Sequence, residues 1–388
     1  MSIRRAAGGA MCALLVSLSI PREAVAQTSE RYSLQGFGGW AFGDTNNDNR
    51  YGYVADGDGE WNNYYFALNL AAQPMEKLSI RSQAFWGEDQ RGQRIRLDYV
   101  FAEWAQSPAL KLRVGKAPVP FGIYTEVYDV GTVRPFYLLP QFYEGPLGLI
   151  PKAYEGVGLT GSHSVSEAWE IQYDAFGGEI RFEPFSTDFV DGADPATGLP
   201  QISTVQAQLV GSGLVGGRLL LASPAKGFDV GGTVFYVNKL QQSIDGGELM
   251  PYSVTEHATM VNLRGQYQKG PFAARAEWFA ALARDADVKS LYLEGSWKWS
   301  HWQIAGQYEK SNLKLNPGDT SVPEPLQRHE SIGLALNYWL GPNLALKLNG
   351  YSIDGNLIAR PTEAGLRAFL GTLDDSTAAI VVGAQFSF

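Results

Sequence analysis

Apolar and polar residues alternate one by one along most of this chain. The stretch STAAIVVGAQFSF shows the pattern: Ile380, Val382, Ala384, Phe386 and Phe388 fall on one face, and Val381, Gly383, Gln385 and Ser387 on the other. A period of two places successive side chains on opposite faces of a β-strand. Sixteen such segments can be read, beginning with YSLQGFGGWAF and YYFALNLAA, running through LKLRVGK, SLYLEGSWKW and LALKLNGYSI, and ending with TAAIVVGAQFSF. Each is close to the ~9–11 residues a tilted strand needs to cross a bilayer. Sustained helical periodicity is scarce, and its best candidate is a short piece of PTEAGLRAFLGTL.

The connections alternate too. Links after even-numbered strands are short, such as QPMEK, KGP, SH and GPN, whereas those after odd-numbered strands are mostly long, as at 117–153 and 178–203. Short turns at one end and long loops at the other predict an all-β fold, a transmembrane antiparallel β-barrel of sixteen strands with short periplasmic turns and long extracellular loops. In lipid a sheet has to close on itself so that no backbone N–H is left unpaired. Parity then puts Leu334, Leu336, Leu346 and Leu348 outside and Arg81, Gln83, Arg264, Arg275, Glu277, Lys347 and Asn349 on a wet inner face. Aromatics near strand ends, including Trp86, Trp297, Trp302 and Trp339, suit interfacial girdles. A soluble all-β protein is the competing reading, but a polar inner face leaves it no apolar core.

Composition adds a location. Arg4 and Arg5, the apolar run from Ala10 to Ile20 and Ala24-Val25-Ala26 read as an export signal over 1–26, removed to leave a barrel over 27–388. Cys12 sits too early in the apolar core for a lipoprotein signal. Removal of this segment leaves 28 basic and 39 acidic residues and no cysteine, which argues against nucleic acid as a partner and against reliance on disulfides. The length allows two domains, but no linker or composition break divides it. These features together place the chain in the outer membrane of a Gram-negative bacterium, among lipid and lipopolysaccharide.

Sixteen strands enclose a lumen too wide for wall side chains to fill. The segment 117–153 is rich in Pro, Phe and Tyr and is long enough to be functional, the third of the long loops. Parity turns Arg81, Arg94, Arg96, Asp98, Lys111 and Arg113 of the third to fifth strands inward, with Lys116 beside them. The loop carries Tyr124, Glu126, Asp129, Arg134 and Glu144. Two readings stay open: a basic wall facing an acidic loop sets a field that selects ions, or the arginines pair with neighbouring acids and hold the loop in place.

The run from RVGKAPVPFG through DVGTVRPF to LPQFY resembles porins related to the phosphate-selective O/P family. The ending on Phe388 resembles the C-terminal signature of Gram-negative outer-membrane barrels. The first resemblance implies a homotrimer of sixteen-stranded barrels, each with its own pore narrowed by the third loop. The second implies recognition by the barrel-assembly machinery. A dense Arg and Lys array is not evident in this acidic chain, so phosphate specificity is not carried over.

Other motifs fall away. GSGLVG at 211–216 lies in a strand pattern and opens no helix, so it is no dinucleotide fingerprint. Asp44, Asn46 and Asp48 have part of a calcium-loop spacing, yet Asn49 stands where glycine is needed and Ala55 where a glutamate is needed. Four histidines, and no G-x-S-x-G or H-E-x-x-H, offer no catalytic site. The expectation is a water-filled porin for small hydrophilic solutes, anionic if the basic wall dominates, with no enzyme activity and no cofactor. The alternative is a plugged barrel that acts through its extracellular loops in surface binding or adhesion.

Overall fold

The computed structural model describes residues 31–52, 59–89, 92–144, 150–182, 184–198, 200–223, 227–244, 250–251, 257–284, 286–315, 322–359 and 364–388. The expected export signal over 1–26 lies outside them, as do most of the acidic residues of 56–60.

Sixteen strands make a closed antiparallel barrel: β1 (Tyr32–Thr45), β2 (Glu60–Met75), β3 (Leu78–Asp89), β4 (Gly92–Ser107), β5 (Leu110–Pro118), β6 (Ala153–Ser166), β7 (Trp169–Arg181), β8 (Pro200–Ser223), β9 (Phe228–Ile244), β10 (Ala258–Lys269), β11 (Phe272–Ala283), β12 (Ala286–Trp299), β13 (Trp302–Leu315), β14 (Arg328–Gly341), β15 (Leu344–Asp354) and β16 (Ser376–Ser387). Each pairs with its successor, and β16 returns to β1 through Gly38↔Phe386 and Trp40↔Ala384. Phe388 extends this seam: its N–H donates to the Gly36 carbonyl (2.8 Å) and its carbonyl accepts from Gly36 N–H (3.0 Å). Two further short strands prolong the sheet beyond the sixteen. Phe185–Ala193 pairs with the far end of β8, and Met250–Pro251 with the far end of β9. The predicted helical piece is a single short helix, Ala364–Leu370. Among the described residues no helix is long and apolar enough to cross a membrane, which says nothing of strands.

The alternation produces the two faces. In β15 every second residue is exposed, with Leu346 and Leu348 outside and Lys347, Asn349 and Tyr351 buried inside. At the short-turn end the outer face carries an aromatic cluster: Phe272 stacks on Trp297 (ring centroids 5.9 Å apart), which neighbours Trp299 (5.4 Å), and Trp302 meets Tyr338 (4.9 Å). Trp339 departs from its expected place in that girdle. It is buried inside the barrel, where its Nε1–H donates to Gln303 Oε1 (3.3 Å) under the Lys298 ammonium (3.6 Å from the ring).

The inner face corrects a second expectation. It is not wet throughout, and the barrel does hold an apolar core. Phe176, Leu214, Phe235, Met260, Phe279 and Tyr292 point inward from the wall and pack against Phe121, Tyr124, Leu139, Phe142, Tyr143 and Ile150 of the third loop. A second cluster sets Phe136, Tyr137 and Leu138 against Ala41, Ala335, Tyr351, Ile353 and Val381. The long loop supplies the apolar surface that wall parity alone lacks.

Candidate functional site: the third loop inside the lumen

The loop between β5 and β6 starts as an extended Pro-rich segment and then satisfies part of its backbone within itself, as in Val127 N–H to Tyr124 O (2.9 Å) and Val130 N–H to Val127 O (3.0 Å). Other buried groups find partners on the wall. Thr233 donates to the Pro120 carbonyl (2.8 Å) and Arg264 to that of Gly122 (2.7 Å). Gly122 has φ +61°, a left-handed conformation natural to glycine, and a Cβ there would stand 1.9 Å from the Tyr143 hydroxyl.

Three adjacent strands then offer one inward carboxylate each. Glu277 of β11 accepts from the Tyr143 hydroxyl (2.6 Å) and from Asn262 Nδ2 (2.6 Å). Glu294 of β12 accepts from the hydroxyls of Tyr124 (2.9 Å) and Tyr292 (2.7 Å) and from Arg275. Glu309 of β13 accepts from the backbone N–H groups of Gln141 (2.9 Å) and Phe142 (3.0 Å), where the helical turn Gln141–Glu144 begins with unpaired donors. Burial, with the carboxylates beside them, pushes the phenols of Tyr124 and Tyr143 well above their ordinary range, so both remain donors.

Across the lumen the polarity mostly reverses: β14–β16 meet loop carbonyls with donors, and Asn349 is an acceptor among them. Lys347 Nζ lies 2.9 Å from Gly131 O, 2.7 Å from Arg134 O, 3.2 Å from Phe136 O and 2.6 Å from Gln385 Oε1. Asn337 donates to Pro135 O (2.8 Å), and Asn349 Oδ1 accepts from Tyr137 N–H (2.7 Å).

The predicted charged residues divide differently from the expected wall against loop. Arg96 pairs with Asp98 (2.7 Å), and Arg113 with Glu103 (2.7 Å), which Arg81 also approaches at 3.7 Å. Of the loop acids, Glu126 bonds to Arg218 of β8, which also holds Asp174 (2.7 Å). Asp129 is buried against Gln83 (2.5 Å), which also donates to Asp98 (2.9 Å), with Lys152 at 3.7 Å. Arg134 turns back into its own loop and donates to the carbonyls of Tyr128 (2.7 Å) and Tyr137 (3.0 Å). Lys111 is half-buried on the inner face, opposite Thr160. Lys116 is a correction: it sits outside, opposite Val100 and Glu155, because Leu110, Leu112 and Val114 fix the outward parity of β5. The side chains of Arg94 and Glu144 lie outside the described residues.

Neither a protein-family model nor a curated protein sequence matches the chain. Its architecture is nevertheless shared. OmpF of Salmonella typhi, solved in complex with daunomycin, superposes with a TM-score of 0.55 at 12% identity, covering 92% of this chain and 97% of that one. The outer-membrane channel DcaP of Acinetobacter baumannii gives 0.54 at 9% identity over 92% and 97%. An anion-selective porin from Comamonas acidovorans gives 0.54 at 10% over 92% and 99%. The barrel has the porin fold.

Within this porin fold the calcium-like segment is part of the closing seam. Asn46 Oδ1 accepts from Ala378 N–H (2.7 Å), Asn47 Nδ2 donates to Ser376 O (2.9 Å), and Asn49 Nδ2 bonds to Asn356 Oδ1 (3.1 Å), Asp374 O (2.9 Å) and Thr377 Oγ1 (2.9 Å). Asp48 meets Arg367 (3.1 Å). The asparagines are thus engaged at the β1–β16 junction and Asp48 with the helix Ala364–Leu370, while one Asp44 carboxylate oxygen is buried without a partner, and among the described residues no group of three metal-binding side chains forms. GSGLVG lies within β8, as its alternation predicts, with Gly213 at φ +66°. The anchors that sequence reading did not single out are Glu294, Glu309 and Arg218. Parity could have placed Glu294 inside, since Leu291 and Leu293 are exposed outside.

Proposed function

We propose that this chain forms an outer-membrane channel, a water-filled path for small hydrophilic solutes narrowed by the loop 119–152. The observation that carries the reading is a long loop anchored inside a closed barrel while charged groups beside it stay accessible: Arg81, with half its side chain exposed, and Glu126. The charges are largely paired, mostly within the wall and at Glu126–Arg218 between loop and wall, which supports a narrow opening with a modest field. Homotrimer assembly, lipopolysaccharide contact and insertion by the barrel-assembly machinery are part of the same proposal.

A second reading, a plugged barrel acting through its extracellular loops, draws on one specific observation. The loop bonds to walls on every side, from Gln83 of β3 through Arg218 of β8 to Lys347 of β15. Single-channel recording in planar bilayers separates the two. Discrete conductance steps support the channel, and the reversal potential in a salt gradient gives its charge preference. A folded, heat-modifiable barrel that conducts nothing supports the plug.

A further inference from the structure

The inward arginines differ in how they are compensated. Arg96, Arg113, Arg218 and Arg264 each lie within 2.8 Å of a carboxylate oxygen, Arg275 is bonded to Glu294, and all five side chains are 23% exposed or less. Arg81 stands apart. Among the described residues its nearest carboxylate, Glu103, is 3.7 Å away and already bonded to Arg113, and half of the Arg81 side chain is exposed.

Arg81 borders a cavity of about 530 Å³ at the short-turn end of β1–β4, lined mostly from the inner face, on the short-turn side of the Gln83–Asp129 contact with the third loop. The register explains the space: Ser33, Ala71 and Arg81 lie in one row, with Ser79 beside it, so small side chains leave room on one side of Arg81 while Phe101 of β4 flanks the other. Among the described residues no aspartate or glutamate lines this cavity, whereas Arg31 contributes a second cation. Neutral hydrogen-bonding groups complete it. The Tyr99 hydroxyl donates to Asn69 Oδ1 (2.9 Å), which leaves the Asn69 amide N–H₂ to face the cavity as a donor, near Gln35 and Ser33.

We propose that this cavity binds a small hydroxylated organic anion, its carboxylate on the Arg81 guanidinium with Arg31 behind, and its hydroxyls on Asn69, Gln35 and Ser33. A guanidinium presents paired donors that match a carboxylate, and the surrounding amides and hydroxyls match an alcohol. The site deepens the channel reading by naming a solute class.

Gluconate is the probe. Added to wild-type channels in bilayers bathed in potassium chloride, it should block the current saturably, at least tenfold more tightly than acetate, and sorbitol should not block. Arg81→Gln should weaken the block at least tenfold, and Arg81→Lys should restore part of it. Arg218→Gln, at the third loop, should shift it less than threefold. Equal block in R81Q, or a larger shift in R218Q, would overturn the site; block by acetate as tight as by gluconate would overturn hydroxyl recognition. Equilibrium dialysis of labelled gluconate against the folded barrel in detergent keeps this test separate from conduction. Arg81-dependent binding without conductance would retain the site and remove the channel. Conductance without such binding would do the reverse.

Discussion

Lys347 shows how much one residue does inside this barrel. It is 2% exposed, and its Nζ meets three backbone carbonyls of the loop and the Gln385 side chain. No carboxylate pairs with it among the described residues. Replacing it with methionine keeps the volume but leaves buried carbonyls without donors, at roughly 1–3 kcal/mol for each group that stays unsatisfied. Lys347→Met should therefore lower the stability of the folded barrel by about 2–4 kcal/mol, read as a shift in the urea midpoint in detergent, on the same grounds. An unchanged midpoint would mean that the loop does not depend on this anchor.

The third loop is the element in which sequence and structure part company. The alternation in SLYLEGSWKW or LALKLNGYSI was enough to give strands, their faces and the barrel, because side-chain direction in a strand is a local property. It was not enough to show that Glu277, Lys347 and Asn349 would be buried. That depends on a distant, irregular segment whose path no periodicity encodes. The same limit applies to charge pairing: Glu126 finds Arg218, 92 residues away, and not the arginines of β3–β5. Asp129 gives this docking a pH dependence. Burial, and secondarily the Asp98 carboxylate, raise its carboxyl to about 6, against the opposing pull of Lys152 and Arg96. A raised acid favours the folded state when protonated, so its contribution is fully present below the ordinary carboxyl value of ~4 and is lost as pH rises through about 6. Asp129→Asn imitates the protonated form. Its urea midpoint should match wild type near pH 4 and exceed it at pH 8; a gap that stays constant with pH would count against this assignment.

At the scale of the whole molecule, everything depends on closing the cylinder. The β1–β16 seam joins segments more than 300 residues apart, so its pairing carries a large loop-closure cost before its contacts offset it. Its outer face uses glycine beneath aromatic rings. Gly36 lies under Phe388 and Gly38 under Phe386, and both phenylalanines neighbour Phe66, with ring centroids 6.2 and 6.4 Å apart. A Cβ on Gly38 would stand 2.6 Å from the Tyr65 carbonyl oxygen, a backbone atom that cannot move without disturbing the β1–β2 ladder, and 2.8 Å from the Phe386 ring. Gly38→Val should consequently block closure: most of the protein should lose the heat-modifiable band on a gel and remain open to protease. Gly295→Val is the matched control. It adds the same side chain to the same outer face, on β12, where a Cβ meets nothing within 4 Å, and should fold as wild type does. Failure of both variants would point to a general cost of valine on this face. Failure of Gly38→Val alone would locate the closing step at the glycine-aromatic seam, with the asparagines at 46, 47 and 49 bonding the same two strands at their other end.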